Sequence, residues 1–360
     1  MRFLAPYMAW AKQRPSPRYD LAISNILGCT PDDLPGAREA LDFSGRNDNG
    51  YAPLIEAIAA RYGVLREQVT TAQGTSGANF LVCAALLEPG DEVLVERPGY
   101  DPLLGTPRLL AARTTRFERA FENGFRLDPD RVKHAMTPRT RLIVVTSPHN
   151  PCGAIATREE LLAVGRLAES QGAHVLVDEV YLDVATEPRD EEVAARLGEV
   201  FISTSSLTKS YGLAALRCGW ILSSPEIAER IRRARDVADG SGSIVTERLS
   251  VLAFEHLDRL IARAKAILAT NAPIVREFID GRPELEWVPP QGGTVAFPRL
   301  RGVADTMRFV ERLVAERETI VVPGRFFEAP AHFRIGFSGR TEILEGGLHR
   351  LSEALDARAW

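Results

Sequence analysis

The first chemically informative residue is a lysine in the segment STSSLTKSYGLAALRCGW, residues 203–220. The chain has 44 lysine and arginine residues, of which only Lys12, Lys133, Lys209 and Lys265 are lysine. Lys209 lies among small hydroxyl and glycine residues. Burial disfavours the ammonium form, and a neutral amine can attack a carbonyl to form a Schiff base. The alternative is a surface lysine beside a loop, which is less expected where nearly all cations are arginine.

An acidic residue ends the apolar part of the segment VLVDEVY, residues 175–181. Asp178 directly follows Val-Leu-Val, so its carboxylate is expected to be partly buried. Burial of a charge is unfavourable unless a cation or a strong donor pairs with it. An N-cap or a structural salt bridge would also explain an acid at this position.

Two further segments place polar groups where strands are expected to end. In QGTSGANFLV, residues 73–82, Thr75 and Ser76 precede a helix expected to open at about Ala78, and the N–H groups at a helix N-terminus bind phosphate. In SPHNPCG, residues 147–153, Asn150 precedes a proline and offers an amide donor. Taken alone, each segment also fits an ordinary turn.

The combination of these segments is more specific than any one of them. It supplies an anion site, a buried acid, an amide donor, a lysine and, eight residues after Lys209, Arg217. Pyridoxal 5′-phosphate requires an amine for its aldehyde, a carboxylate for its pyridine nitrogen, a donor for its ring oxygen and an anion site. The sequence therefore predicts this cofactor.

The elements that must position these groups follow a β–α–β order. Five apolar segments rich in Val, Ile and Leu lack clean alternation, which is typical of strands covered on both faces. Helical patterns between them indicate a mainly parallel sheet with helices on both sides, where ligands bind at the carboxyl ends of strands. The predicted strands are 91–98, 141–148, 173–181, 199–207 and 218–224, and the predicted helices include 53–63, 78–88, 157–172 and 190–198.

The pattern changes after residue 224. Long helical stretches at 225–239 and 245–281 precede short apolar segments, LEWVPP, GGTVAFPRL, ETIVVPG and FRIGFS, while the first 45 residues are expected to be irregular. We predict an α/β fold with two domains. Residues 46–245 form a three-layer αβα domain that binds the cofactor, and residues 1–45 and 246–360 form a smaller α+β domain.

Composition excludes several classes of function. The net charge of −4 gives no reason to expect nucleic acid or an anionic membrane as a partner. The four cysteines form no CxxC motif, so neither a metal site nor a disulfide framework is expected. The chain start lacks the features of a signal peptide, and no apolar run approaches 18 residues. We therefore expect a cytoplasmic protein.

The chain resembles the class I/II aminotransferases, pyridoxal-phosphate enzymes of fold type I, the aspartate aminotransferase fold. The motifs SPHNPCG, VDEVY, SLTKSYGLAALRCGW, VVPGRFF and FRIGFS occur in the family's order, and the likeness spans residues 45–345. The resemblance implies that Lys209 forms the internal aldimine and then moves a proton between Cα and C4′. It implies that Asp178 pairs with the protonated pyridine nitrogen.

The resemblance also assigns the remaining site residues. Tyr181 and Asn150 donate to the ring oxygen, and Tyr100 stacks on the pyridine ring. Arg334, in FRIGFS, binds the substrate α-carboxylate, which Asn150 also contacts. The phosphate is expected at Thr75, Ser76, Ser206 and Arg217.

The chain departs from the family in three places. Members usually place a tyrosine near the position of Gly45, where it reaches the phosphate of the partner subunit; here Arg46 and Asn47 are the candidates to replace it. Cys152 stands where a threonine is usual, with little chemical effect expected. The segment ISNILGCTPDDLP lacks the GEP-like sequence of the loop that closes over substrate, so the substrate side chain is not predicted.

The expected function is that of an aminotransferase that moves an amino group between an amino acid and a 2-oxo acid, in a homodimer with the active site at the interface. One alternative is another pyridoxal-phosphate reaction on the same fold: a β- or γ-lyase, a decarboxylase or a cyclase in a biosynthetic pathway. The other is the ligand-sensing domain of a transcription regulator. Such regulators carry a DNA-binding domain upstream, for which 45 residues leave no room.

Overall fold

The computed structural model describes residues 5–185 and 192–358. Within these ranges the chain alternates short strands and helices. The strands are β1 Tyr19–Asp20, β2 Val69–Gln73, β3 Glu92–Arg97, β4 Arg113–Glu118, β5 Thr140–Thr146, β6 His174–Asp178, β7 Phe201–Ser206, β8 Cys218–Leu222, β9 Leu285–Glu286, β10 Val295–Ala296, β11 Arg299–Leu300, β12 Thr319–Ile320, β13 Val322–Pro323 and β14 Phe333–Gly336.

The helices cover both faces of the main sheet and build the second domain. They are α1 Pro6–Gln13, α2 Ala52–Tyr62, α3 Gly74–Leu86, α4 Pro102–Leu109, α5 Pro129–Ala135, α6 Arg158–Glu169, α7 Pro225–Ala238, α8 Ile244–Glu255, α9 Leu257–Asp280, α10 Met307–Arg317 and α11 Thr341–Asp356. No helix in the described part of the chain is long and apolar enough to span a membrane.

Seven strands form the main sheet, in the order β2-β8-β7-β6-β5-β3-β4. Strand β8 is antiparallel to both of its neighbours, and the other pairs are parallel. Successive side chains in a strand point to opposite faces. Leu176 therefore packs in the cluster with α3, α4 and α7, whereas Val175 and Val177 pack in the cluster with α5 and α6. The three-layer αβα arrangement is confirmed, and it explains why these strands are apolar throughout.

The smaller domain has an α+β architecture. It contains the antiparallel sheet β10-β14-β13, the pair β9 and β11, and the helices α9, α10 and α11 around one apolar cluster. Strand β1 pairs in parallel with β12, so the N-terminal segment joins the C-terminal part of the chain. Helix α8 packs through Ala253 in a cluster with Leu54 of α2 and Trp220 of β8. The division at residue 245 stays a prediction.

Three local expectations were wrong or only partly met. Helix α3 opens at Gly74 rather than at about Ala78, because Gly74 adopts a φ of +71° that turns the chain directly from β2 into the helix. The first 45 residues are not wholly irregular, since Pro6 begins helix α1, which packs by aromatic contacts.

The third expectation concerned a helix at 190–198. Residues 190 and 191 lie outside the described residues, and the rest contains only one 3₁₀ turn, Ala194–Arg196. The N–H groups of Ala194 and Ala195 donate to the side chains of Glu179 and Ser203, 3.0 and 2.9 Å away. Side chains, rather than a further helical turn, thus satisfy these backbone donors.

Candidate active site

The predicted site residues surround one cavity of about 240 Å³ at the carboxyl ends of the central parallel strands. Thr146, Asp178 and Ser206 end β5, β6 and β7 and line this cavity. Because neighbouring parallel strands end at one edge of the sheet, residues far apart in sequence meet there. All ten predicted residues line it: Thr75, Ser76, Tyr100, Asn150, Asp178, Tyr181, Ser206, Lys209, Arg217 and Arg334.

Lys209 follows β7 and is held by the N-terminal segment. Its Nζ donates to Asn25 Oδ1 at 2.6 Å and to Ser24 Oγ at 3.1 Å. Burial lowers the pKa of Lys209 from 10.5 to about 8, and the positive charge of Arg334 acts in the same direction. The amine is therefore neutral far more often at neutral pH than that of an exposed lysine.

Asp178 is 5% exposed, and its carboxylate is held by two donors. Asn79 Nδ2 donates to Oδ2 at 2.9 Å, and the N–H of Val180 donates to Oδ1 at 3.2 Å. Burial raises the pKa of Asp178 from 3.8 to about 6, while these two donors oppose the rise. A cation beside this carboxylate would restore its ordinary ionisation.

Asn79 was missed in the sequence. Its Oδ1 accepts from Thr204 Oγ1 at 2.7 Å, which leaves the amide N–H₂ directed at Asp178. The available signal was its spacing, because Asn79 lies four residues after Thr75 on α3 and therefore on the same helix face.

The residues predicted to bind the phosphate gather at the start of α3. Thr75 Oγ1 donates to Ser206 Oγ at 2.8 Å. Within the described ranges, the Arg217 guanidinium makes long contacts, of 3.3 Å to Thr208 Oγ1 and 3.4 Å to the carbonyls of Gln73 and Ala214. A Cβ at Gly74 would lie 2.4 Å from Arg217 Nη2, so glycine keeps open the space for this cation. An exposed cation beside a helix N-terminus suits a dianionic phosphate.

The predicted ring-oxygen donors, Tyr181 and Asn150, also line the cavity. The Tyr181 side chain is 2% exposed, and its hydroxyl lies near the hydroxyls of Ser24 and Thr294 without a well-aligned hydrogen bond to any residue among 5–185 and 192–358. A buried hydroxyl of this kind is unfavourable unless a ligand completes it. The cavity therefore fits pyridoxal phosphate, since it combines the Tyr181 hydroxyl, the Asp178 carboxylate, the Lys209 amine and the predicted phosphate site.

Arg334 lies on the opposite wall and is 0% exposed. Its Nη1 donates to Asn150 Oδ1 at 2.9 Å, and its Nη2 donates to Tyr7 Oη at 2.8 Å and to the carbonyl of Ala22 at 3.0 Å. Tyr100 lines the same wall, and its hydroxyl contacts Met8 Sδ at 3.2 Å. Tyr7, Ser24 and Asn25 were missed because they belong to a segment that lacks a family motif.

One departure from the family, the segment 23–35, brings Ser24 to the cavity. The other two lie away from the cavity or within the core. Arg46 is exposed and pairs with Asp48, and Asn47 Nδ2 donates to Glu247 Oε2 at 2.9 Å. Their role toward a partner subunit stays a prediction. Cys152 is buried with its Sγ 2.8 Å from His149 Nδ1, and burial raises the pKa of its thiol to about 12.

Comparisons with known proteins agree with this geometry. The chain is 35% identical over 371 residues to the capreomycidine synthase of Streptomyces vinaceus, covering 99% of this chain and 94% of that protein. A pyridoxal-phosphate-dependent aminotransferase from Streptococcus suis has a TM-score of 0.91 at 26% identity, with 99% of this chain and 98% of that chain covered. The pyridoxal-phosphate-dependent cyclase OrfR has a TM-score of 0.89 at 28% identity, covering 100% and 98%.

The family assignment rests on a match over nearly the whole chain. Residues 21–351 match the model of the family described as aminotransferase class I and II. The aspartate aminotransferase fold and the pyridoxal-phosphate cofactor expected from the sequence are thereby confirmed. This chain belongs to the class I and II aminotransferase family of pyridoxal-phosphate-dependent enzymes.

Proposed function

We propose that this chain acts at the α-carbon of an amino acid, with Lys209 as the group that takes and returns the α-proton. The observation that carries this proposal is the Lys209 amine, whose pKa burial lowers to about 8, in a cavity shared with Asp178 and Arg334. General bases work best when their pKa is near the working pH.

The remaining residues would hold the cofactor and orient the substrate. Bound pyridoxal phosphate supplies an electron sink for negative charge at the α-carbon. Asp178 would keep a positive charge on the ring nitrogen, and Asn79 would fix the direction of that carboxylate. Tyr181 and Asn150 would donate to the ring oxygen, while Tyr100 covers the ring. Arg217, Ser206 and the first turn of α3, with Thr75 and Ser76, would bind the phosphate.

Arg334 would bind the α-carboxylate and so place the α-proton near Lys209. A bidentate arginine–carboxylate pair fixes direction as well as position. Among the described residues that line the cavity, the only cations are Lys209, Arg217 and Arg334. The described lining of this cavity therefore offers no further cation for a second substrate carboxylate, which argues against a dicarboxylic amino acid.

Among the reactions open to the family, we propose cyclisation of an amino acid first. It is supported by the 35% identity to capreomycidine synthase across 99% of this chain and by the likeness to the cyclase OrfR. One route to such a ring removes a leaving group from the β-carbon and then adds to that carbon a nucleophile from further along the same side chain.

Transamination is the second candidate. It is supported by the family description and by the likeness to the aminotransferase of Streptococcus suis. The family acts on amino acids and 2-oxo acids, and the Lys209–Asp178 arrangement serves either reaction.

The two candidate reactions differ in whether they need a 2-oxo acid to accept the amino group. We would incubate the holoenzyme with a panel of single amino acids, some with a β-hydroxyl group, without any 2-oxo acid. Cyclisation predicts many turnovers and a product that keeps its α-amino group and has lost the β-substituent, read by mass spectrometry. Transamination predicts one equivalent of 2-oxo acid per active site, after which the reaction stops. Lys209→Ala is the control for both.

A further inference from the structure

The carboxylate-binding residue of the proposed function is closed off in this structure. Arg334 borders the cavity but is 0% exposed, and its guanidinium lies beside the rings of Tyr7 and Phe327, 5.4 and 5.1 Å from their centroids. A carboxylate that pairs with this guanidinium must therefore displace a neighbouring group.

Counting the donors on Arg334 identifies which contact must break. A guanidinium has five N–H groups, and a bidentate carboxylate uses either Nε with Nη2 or Nη1 with Nη2. Either mode requires an Nη2 hydrogen. Both Nη2 hydrogens are already used, one by Tyr7 Oη at 2.8 Å and the other by the carbonyl of Ala22 at 3.0 Å.

The Ala22 carbonyl belongs to a fixed part of the backbone. The adjacent Leu21 donates its N–H to the carbonyl of Ile320 at 2.9 Å and accepts from the N–H of Gly336 at 2.6 Å. Leu21 and Ala22 are also buried. Movement of this carbonyl would disrupt the contact of β1 with β12 and β14.

Tyr7 is attached in a way that permits movement. It lies in the first turn of α1, an eight-residue helix held at its start by the bond from the Tyr7 N–H to Asp101 Oδ2 at 2.6 Å. The Met8 N–H also bonds to the Asp101 carboxylate. The remaining contacts of α1 with the rest of the described chain are side-chain contacts, including Trp10 with Phe326 at 5.2 Å between ring centroids. Side-chain contacts can be exchanged without breaking a sheet.

We propose that Tyr7 is a lid residue, whose hydroxyl occupies the carboxylate position on Arg334 until the α-carboxylate of an amino acid displaces it together with α1. The inference rests on the proposed function, because it requires Arg334 to bind that carboxylate. Tyr7 thus lowers the affinity for every carboxylate ligand and couples its binding to movement of α1.

The test uses 2-aminoisobutyrate, which has an amine and a carboxylate but no α-proton. Its binding to the holoenzyme is followed by cofactor absorbance, and movement of α1 by the fluorescence of Trp10. The neutral 2-aminoisobutyramide is the matched probe without a carboxylate. We expect the acid to change the fluorescence and the amide to leave it unchanged. Trp10→Phe should abolish the change without altering affinity.

The decisive variant is Tyr7→Phe, which keeps the ring and removes the hydroxyl. We expect its dissociation constant for 2-aminoisobutyrate to fall about tenfold, because one hydrogen bond to a charged group no longer has to break. Affinity for the amide should stay the same. An unchanged or weaker affinity for the acid would overturn the proposal. Asp101→Asn loosens α1 without touching Tyr7 Oη, and we expect it to tighten binding several-fold.

The variant Arg334→Gln shows whether a negative result contradicts the lid inference or the proposed function. If Arg334 does not bind the carboxylate, this variant keeps the affinity of the wild-type protein for 2-aminoisobutyrate, and the proposed role of Arg334 is wrong. If Arg334→Gln weakens binding while Tyr7→Phe does not tighten it, only the lid inference is wrong.

Discussion

The two walls of the active-site cavity are built in different ways. The cofactor wall comes from strand ends and one helix of the main sheet, where β6, β7 and α3 present Asp178, Ser206 and Thr75. The substrate wall joins α1 to β14 through the contact of Tyr7 with Arg334, two residues 327 positions apart. Regular elements of one sheet thus position the first wall, and segments distant in sequence position the second.

The walls also differ in how their polar groups are satisfied. On the cofactor wall the Tyr181 hydroxyl has no well-aligned hydrogen bond within the described part of the chain, the pKa of Asp178 is raised and the pKa of Lys209 is lowered. On the substrate wall both Nη2 hydrogens of Arg334 are used. The first wall is preorganised for a ligand that would complete it, whereas the second must give up existing contacts to bind one. Five predictions test this difference.

The largest effect is expected for Lys209→Ala. Borohydride treatment of the wild-type holoenzyme should attach the cofactor covalently to Lys209, and the variant should show no such attachment. Its turnover should fall about 10⁴-fold, the upper range for loss of a general base. Peptide mapping by mass spectrometry reads the attachment, with Lys265→Ala as the control. A cofactor adduct that persists in Lys209→Ala would contradict the assignment.

Asp178→Asn is expected to lower the rate by about 10²-fold, since removal of one partner of a buried charge pair costs about 2–5 kcal/mol. Cofactor binding should be weakened but retained.

The stability of the apoprotein tests the same carboxylate independently. Burial raises the pKa of Asp178 from 3.8 to about 6, so the folded state binds its proton more tightly than the unfolded state. This favourable contribution is present below about pH 4 and is lost as the pH rises through 6. The melting temperature of Asp178→Asn minus that of wild type should therefore be more positive above pH 6 than at pH 4. A difference that does not change with pH would exclude a raised pKa.

Asn79→Leu is expected to weaken cofactor affinity about tenfold by removing one hydrogen bond to a charged group. It should also raise the pKa of Asp178 further, because a donor that favours the carboxylate is lost. Asn271→Leu is the matched control, since Asn271 is 0% exposed and bonds only to groups remote from the cavity. Cofactor affinity is measured by fluorescence titration. Equal affinity in both variants would show that Asn79 has only a structural role and does not contribute to cofactor binding.

The smallest effect concerns the bond between Lys209 and the N-terminal segment. Because burial lowers the pKa of Lys209 to about 8, the rate at which apoprotein takes up pyridoxal phosphate should rise through about pH 8. Asn25→Leu removes an acceptor that favours the ammonium form, so this midpoint should move to lower pH. A midpoint that stays at the same pH or rises would show that Asn25 does not raise the pKa of the Lys209 amine.

Much of the cofactor wall followed from local patterns. An acid after an apolar strand, a lysine in a hydroxyl-rich segment and a glycine turn before a helix each reflect a local constraint on the chain. The start of α3 did not follow, because the left-handed conformation of Gly74 lets the helix begin four residues early. Asn79 was hidden for the same reason, since its direction depends on where the helix begins.

The sequence by itself determined the layered α/β fold and the cofactor, because strand and helix periodicity and motif spacing are local properties. It also supplied ten of the residues that line the cavity, some of which, such as Tyr100 and Arg334, followed only from the resemblance of their motifs to a known family. Only the tertiary structure decided that Tyr7 covers Arg334, that Asn25 holds Lys209 and that Asn79 directs Asp178. These contacts join positions 327, 184 and 99 residues apart. No local pattern encodes them, since each arises where separately folded elements meet and bury polar groups that must find partners.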